Sequence, residues 1–118
     1  LGTISFVIDG GGAPITTGIK GDLQIPFDCT ILSVSLFADQ SGSIVVDVWK
    51  DVYANFPPTV TDTITAATKP TISSAIKMTD STLVGWDKSI AANDILRFNV
   101  DSVTSVRRVT LSIQVTKI

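Results

Sequence analysis

Val106-Arg107-Arg108-Val109-Thr110-Leu111-Ser112-Ile113-Gln114-Val115-Thr116-Lys117 is the stretch that decides the fold class. From Val109 onward, Val109, Leu111, Ile113 and Val115 alternate without a break against Thr110, Ser112, Gln114 and Thr116. A period of two sends successive side chains to opposite faces of an extended chain, so this is a strand with one buried and one polar face.

Outward from that strand the same period recurs. Residues 2–9 place Ile4, Phe6 and Ile8 on one face, and residues 18–25 alternate Ile19, Gly21, Leu23 and Ile25 with polar neighbours before Pro26. Residues 29–38 set Leu32, Val34, Leu36 and Ala38 together, and Cys29 begins that strand as a small buried hydrophobe. Residues 43–52 carry Ile44, Val46 and Val48 on one face, with Val45, Asp47 and Trp49 on the other. Between these two, Asp39-Gln40-Ser41-Gly42 carries a tight-turn signature, which predicts a hairpin. Further strands are expected at residues 61–66, at 81–88 with Val84 and Trp86 on one face, and at 95–101 with Leu96, Phe98 and Val100 inward. Gly10-Gly11-Gly12-Ala13-Pro14 reads as a loop, Ala91-Ala92-Asn93-Asp94 as a turn, and residues 68–80, with Pro70 inside, as irregular or edge structure.

About eight short antiparallel strands and no segment of helical period predict an all-β, two-sheet antiparallel β-sandwich of the jelly-roll kind. An immunoglobulin-like sandwich is the runner-up, although it lacks the Cys…Trp…Cys spacing. With 118 residues, no repeat and no linker, residues 1–118 form one domain. The surface expected for its mass is roughly 6,200 Å², which leaves room for a two-layer core without metal or disulfide. The chain starts at Leu1, so it is expected to be a processed product or a domain excised from a longer chain.

Composition narrows the chemistry. All the acidic residues are Asp, a turn former, and Glu, a helix former, is absent. The net charge of −2 with no basic patch argues against nucleic acid, because Arg107 and Arg108, adjacent on a strand, point to opposite faces. No apolar stretch approaches the ~20 residues of a membrane span, so no membrane insertion is expected. There is no histidine, which removes Ser-His-Asp and Cys-His nucleophiles and His-ligated zinc. A single Cys allows neither a disulfide within the chain nor a thiolate metal site.

Two candidate sites fail on spacing. The three glycines at 10–12 lead to Pro14-Ile15-Thr16 and not to a helix, so they are no dinucleotide loop. Asp47 and Asp51 share a strand face, but at roughly 13 Å apart they lie beyond the span of a two-carboxylate glycosidase. Asp9, Asp28, Asp39, Asp80 and Asp94 fall at turns, where Asp39 or Asp94 is a candidate contributor to an irregular calcium site. No enzyme activity, cofactor or resident metal is therefore expected.

The aromatic residues are the candidate binding groups. Tyr53 and Phe56 sit in a loop with Pro57 and Pro58. They are either a plug over one end of the domain or a loop that stacks on sugars or touches a partner. Trp49 is either core at the edge of the domain or an exposed contact residue, and Trp86 is core. Charged residues make up only 17% of the chain, mean hydropathy is +0.39, and long stretches are rich in Thr, Ser and Ala. That surface suits a domain partly covered by copies of itself.

Three stretches together resemble β-sandwich domains of tailed-bacteriophage virion proteins, such as tail-fibre or appendage tips and head decorations. They are Ile25-Pro26-Phe27-Asp28-Cys29-Thr30-Ile31, then Ala38-Asp39-Gln40-Ser41-Gly42-Ser43-Ile44-Val45-Val46-Asp47-Val48-Trp49-Lys50, and Asp94-Ile95-Leu96-Arg97-Phe98-Asn99-Val100. The resemblance implies a non-enzymatic virion component, often a homotrimer, that binds host-surface glycans or other virion proteins. It carries no site residue with it. The alternatives are a capsid decoration protein that binds protein only, and a carbohydrate-binding module of a secreted protein.

Overall fold

A computed structural model describes residues 1–118. The strands are β1 (Gly2–Asp9), β2 (Gly18–Ile25), β3 (Cys29–Asp51), β4 (Thr71–Asp80), β5 (Ser89–Ile90), β6 (Asp94–Thr104) and β7 (Arg108–Lys117). Single 3-10 turns occupy Tyr53–Asn55 and Val60–Asp62. The protein is all-β: one curled, antiparallel, seven-stranded sheet of order β1-β7-β3-β6-β2, with β4 and β5 also paired to β3.

β3 organises the sheet. Its first half, from Cys29 to Ala38, pairs with β7, and its second half, from Ser43 to Asp51, pairs with β6. β1 extends the first wing beyond β7, and β2 extends the second beyond β6. The wings curl toward each other, so that Phe6 of β1 stacks on Phe98 of β6 with ring centroids 4.4 Å apart. A Cβ on Gly21 of β2 would lie 2.7 Å from the Phe6 ring, so glycine is what lets that ring sit there. Between the wings lies one core, in which Val34, Leu36, Val46, Val48, Leu96 and Phe98 are fully buried. Full burial of such a side chain is worth about 1.5–3 kcal/mol. Val109, Leu111, Ile113 and Val115 are also fully buried, as the alternation in the opening segment requires.

The expected hairpin at residues 39–42 does not form: β3 runs through them as one strand. Here the Asp, Gln and Gly residues build a corner. Asp39 Oδ1 accepts the backbone N–H groups of Arg107 (3.1 Å) and Arg108 (3.0 Å), and Gln40 Nε2 donates to the Ser105 carbonyl at 2.7 Å. At Gly42 a Cβ would lie 2.4 Å from the Thr104 carbonyl oxygen. The β6–β7 connection thus packs directly on the bend, where β3 leaves one neighbour and joins the next.

Two further differences come from bulges. Lys20 is an extra residue in β2, because Ile19 pairs with Asn99 and Gly21 with Phe98. Parity flips there, and Ile19 faces solvent rather than the core. The shift between Ile31 and Ser33 likewise turns Leu32 outward, while Val34 and Leu36 point in. The strand expected at 81–88 is a turn, with Val84 exposed and Trp86 buried. The strand expected at 61–66 is a 3-10 turn followed by one bridge, Thr63 to Trp49. Residues 71–80, read as irregular or edge structure, form β4, whose pairing with β3 is its only one.

Candidate functional site

The excursion between β3 and β4, residues 52–70, places Phe56 beside Arg97 on the outer face of the second wing and then runs back along the edge of β3, where the Ile64 N–H donates to the Val48 carbonyl and the Val46 N–H to the Pro70 carbonyl. Its first turn is fixed from β3. Asp51 Oδ1 accepts the Val52 N–H at 2.7 Å and Asn55 Nδ2 at 3.2 Å, and the Phe56 N–H donates to the Tyr53 carbonyl at 3.2 Å. This tight turn pushes its aromatic side chains outward. Tyr53 is 69% exposed and Phe56 50%, with Val52 and Val60 also exposed on the same excursion.

Phe56 has a defined support. The Arg97 guanidinium lies 5.4 Å from its ring centroid, while Arg97 Nε and Nη2 donate to the two carboxylate oxygens of Asp22 at 2.7 and 3.0 Å. A two-point Arg–carboxylate pair fixes the guanidinium plane, and the plane in turn orients the ring. A cation over an exposed ring contributes about 0.5–1 kcal/mol.

Trp49 lies in the layer below, only 8% exposed, so the core description fits it and its indole is not part of the exposed surface. Its Nε1 donates at 3.0 Å to Oδ2 of Asp47, which is itself 1% exposed. The other oxygen of Asp47 accepts three more hydrogen bonds, from the Val48 N–H (2.8 Å), Thr63 Oγ1 (2.6 Å) and Thr65 Oγ1 (2.7 Å). Lys69 Nζ stands 3.7 Å from Asp47 and 2.5 Å from Asp101. The hydrogen bond that Lys69 donates to Asp101 holds the pKa of the Lys69 ammonium above its ordinary value, against the opposing effect of burial. A carboxylate with four donors and a nearby cation tolerates burial. It ties residues 63–69 to the sheet, so the excursion that displays Tyr53 and Phe56 is anchored at both ends.

Five other carboxylates are occupied by backbone N–H groups. Asp9 and Asp80 accept N–H groups just after them in the chain, Asp94 that of Ala91, Asp28 that of Ala92, and Asp39, within β3, those of Arg107 and Arg108. Asp47 and Asp51, considered as a pair for glycoside hydrolysis, serve separate ends of the excursion: Asp51 caps the turn and Asp47 is sealed beneath it. Nowhere do three or more His, Cys, Asp or Glu side chains converge in a manner that could hold a metal ion.

Two elements of the site escaped the sequence. The Asp22–Arg97–Phe56 stack joins residues from β2, β6 and the excursion, with no local signal. The Asp47 cluster did leave a trace: Thr63 and Thr65, two apart, present their hydroxyls on one side of the chain, as a segment laid across a buried acceptor must. Searches against models of protein families, curated proteins and solved structures found no match to this chain.

Proposed function

We propose that this domain is a non-enzymatic structural and adhesion module of a phage particle, and that the Tyr53–Phe56 turn is the surface with which it grips host glycans. In this reading the two wings of the curled sheet are the layers of a jelly-roll sandwich, and the module works in the virion as a homo-oligomer. The observation that carries it is the pair of exposed rings on a turn anchored by Asp51 and Asp47. Aromatic faces that are already held in place stack on sugar rings without the ordering cost of a mobile loop. The missing histidine and the resemblance to virion β-sandwiches support the same reading.

The test is a glycan array probed with the wild-type chain, Tyr53→Ala and Phe56→Ala, with far-UV circular dichroism to confirm folding. Loss of one stacked ring is expected to weaken retention about tenfold, equivalent to about 1.4 kcal/mol. A wild-type chain that binds no glycan but associates tightly with capsids would replace adhesion with a decoration role. Binding that survives both substitutions would remove the turn from the site.

A further inference from the structure

The outer face of the first wing is unlike that of the second. Strand register aligns Val7, Thr110, Phe37 and Lys77 in one row across β1, β7, β3 and β4. The adjacent row is Ser5, Ser112, Ser35 and Thr79, with the hydroxyls of Ser35 and Thr79 2.9 Å apart. Val7 is 53% and Phe37 50% exposed. The charges on this face stand at its rim: Lys77 on β4, and Asp9, Arg108 and Asp39 at the end nearest the corner. On the second wing, by contrast, Asp22, Arg97, Asp47, Lys69 and Asp101 pair with one another on the outer face.

We infer that the first wing's outer face is an interface with a second copy of this chain, related by a two-fold axis parallel to the strands. The charge pattern selects that operator. Such an axis lays β1 over β4 and β7 over β3 of the partner, with the strands nearly aligned, as packed sheets prefer. Phe37 then covers the partner's Thr110. Lys77 comes over the partner's Val7, within a lysine stem's reach of the partner's Asp9, about 7 Å further along β1. Arg108 comes over the partner's Asp39. Every rim charge meets its opposite, and each contact occurs twice, as an isologous interface requires. The pair therefore differs from the threefold assembly implied by the resemblance.

Four strands by seven residues cover roughly 450 Å² per copy, or roughly 900 Å² in total. That is below the about 1,200 Å² at which stable interfaces begin, so the pair is a weak one. The inference goes beyond the proposed glycan function, which uses the opposite wing.

Sedimentation velocity from about 1 µM to about 1 mM chain, at low salt, tests it. The wild-type chain should shift from one to two chains across that range, and Phe37→Ser should stay single. Lys77→Asp and Asp9→Lys alone should each weaken pairing by about tenfold or more, because like charges then meet twice. An equimolar mixture of the two variants should pair again, since both mixed contacts become attractive. A single-chain mass at every concentration, a three-chain mass, or a mixture no more associated than its components would overturn the interface. Glycan retention should be unchanged in all these variants, so the failure of one proposal is distinguishable from that of the other.

Discussion

Replacing Asp47 by Ala removes one carboxylate and leaves four donors without their acceptor: the Val48 N–H, the Trp49 indole N–H and the hydroxyls of Thr63 and Thr65. The Thr65 hydroxyl sits in a fully buried residue, and Trp49 and Val48 are buried too. An orphaned buried donor costs about 1–3 kcal/mol. The four do not simply add, because a loosened excursion lets water reach the Thr63 end first, and Lys69 keeps Asp101 as its partner. A loss of about 3–5 kcal/mol is therefore expected, a large share of the about 5–15 kcal/mol that holds a domain folded. Asp47→Asn separates charge from shape. The amide keeps one acceptor oxygen but must turn its NH2 toward either the indole N–H or the Thr hydroxyls, and about 2 kcal/mol should be lost. Urea denaturation of the three proteins measures both figures. Hydrogen exchange locates the damage: the Ile64 N–H, which donates to the Val48 carbonyl, and the Asp87 N–H, which donates to the Ile64 carbonyl, should exchange faster in both variants. The amides of β7 should change only as far as global stability falls. An Asp47→Ala protein within about 0.5 kcal/mol of wild type would show that the cluster does not hold the excursion, and the account of an anchored aromatic turn would fall with it.

At the corner of β3, Gly42→Ala drives a methyl group to 2.4 Å from a backbone carbonyl oxygen and 2.9 Å from Val106 Cγ2. It should cost about 1–3 kcal/mol in thermal or urea unfolding, whereas a Gly42→Ala protein as stable as wild type would mean the corner is loosely packed. Acid stability should depend on Asp39. The Arg108 backbone N–H holds its carboxyl below the ordinary 3.8; desolvation opposes it, and the Arg107 N–H and the Arg108 charge add to the lowering. At Asp87 burial pushes the carboxyl up most strongly, but the Lys50 ammonium and the Ser89 N–H together outweigh it and leave it lowered. Groups depressed in the folded state stabilise it above the unfolded value, and that contribution is lost as pH falls through the folded value. Melting temperature should therefore decline below pH 3.8, and more shallowly in Asp39→Asn; an identical acid slope in that variant would exclude Asp39 as a source. Lys69, raised above 10.5, gives the mirror case: its contribution is present below that value and fades as pH rises past it, a loss that Asp101→Asn should reduce.

Strand positions were legible in the sequence wherever one face meets the core and the pairing is unbroken. β1 and β2 begin and end where the alternation does, and the inward set of β6 is the one its period demands. Direction failed at Ile19 and Leu32 for one reason. A period-two reading carries parity forward from residue to residue, and a single extra residue reverses it. Nothing in Lys20 or Leu32 itself marks a bulge, because the bulge is a property of the pairing with β6 or β7. The segment 81–88 failed differently. Its apolar residues at 84 and 86 suit an alternating strand, yet Leu83 takes a positive φ of 52° and is buried, while Val84 turns out to solvent.

Residues 39–42 and Asp47 show where local chemistry stops being decisive. Asp, Gln, Ser and Gly in sequence ask for a change of chain direction and for partners for their polar groups. A hairpin would meet that demand within its own loop; here the β6–β7 connection meets it, with Asp39 and Gln40 bonding to residues more than sixty positions away. The same holds for Asp47. Alternation marks its face as the one opposite Val46 and Val48, and in an isolated hairpin that face would be wet. It is dry because residues 63–69 return along the edge of β3 and bring Thr63, Thr65 and Lys69 to the carboxylate. An outward-facing carboxylate in a stretch, residues 45–49, otherwise built of Val and Trp is thus the anchor for the returning segment, and the aromatic turn at Tyr53–Phe56 owes its fixed position to a residue that sequence spacing weighed only as one half of a catalytic pair.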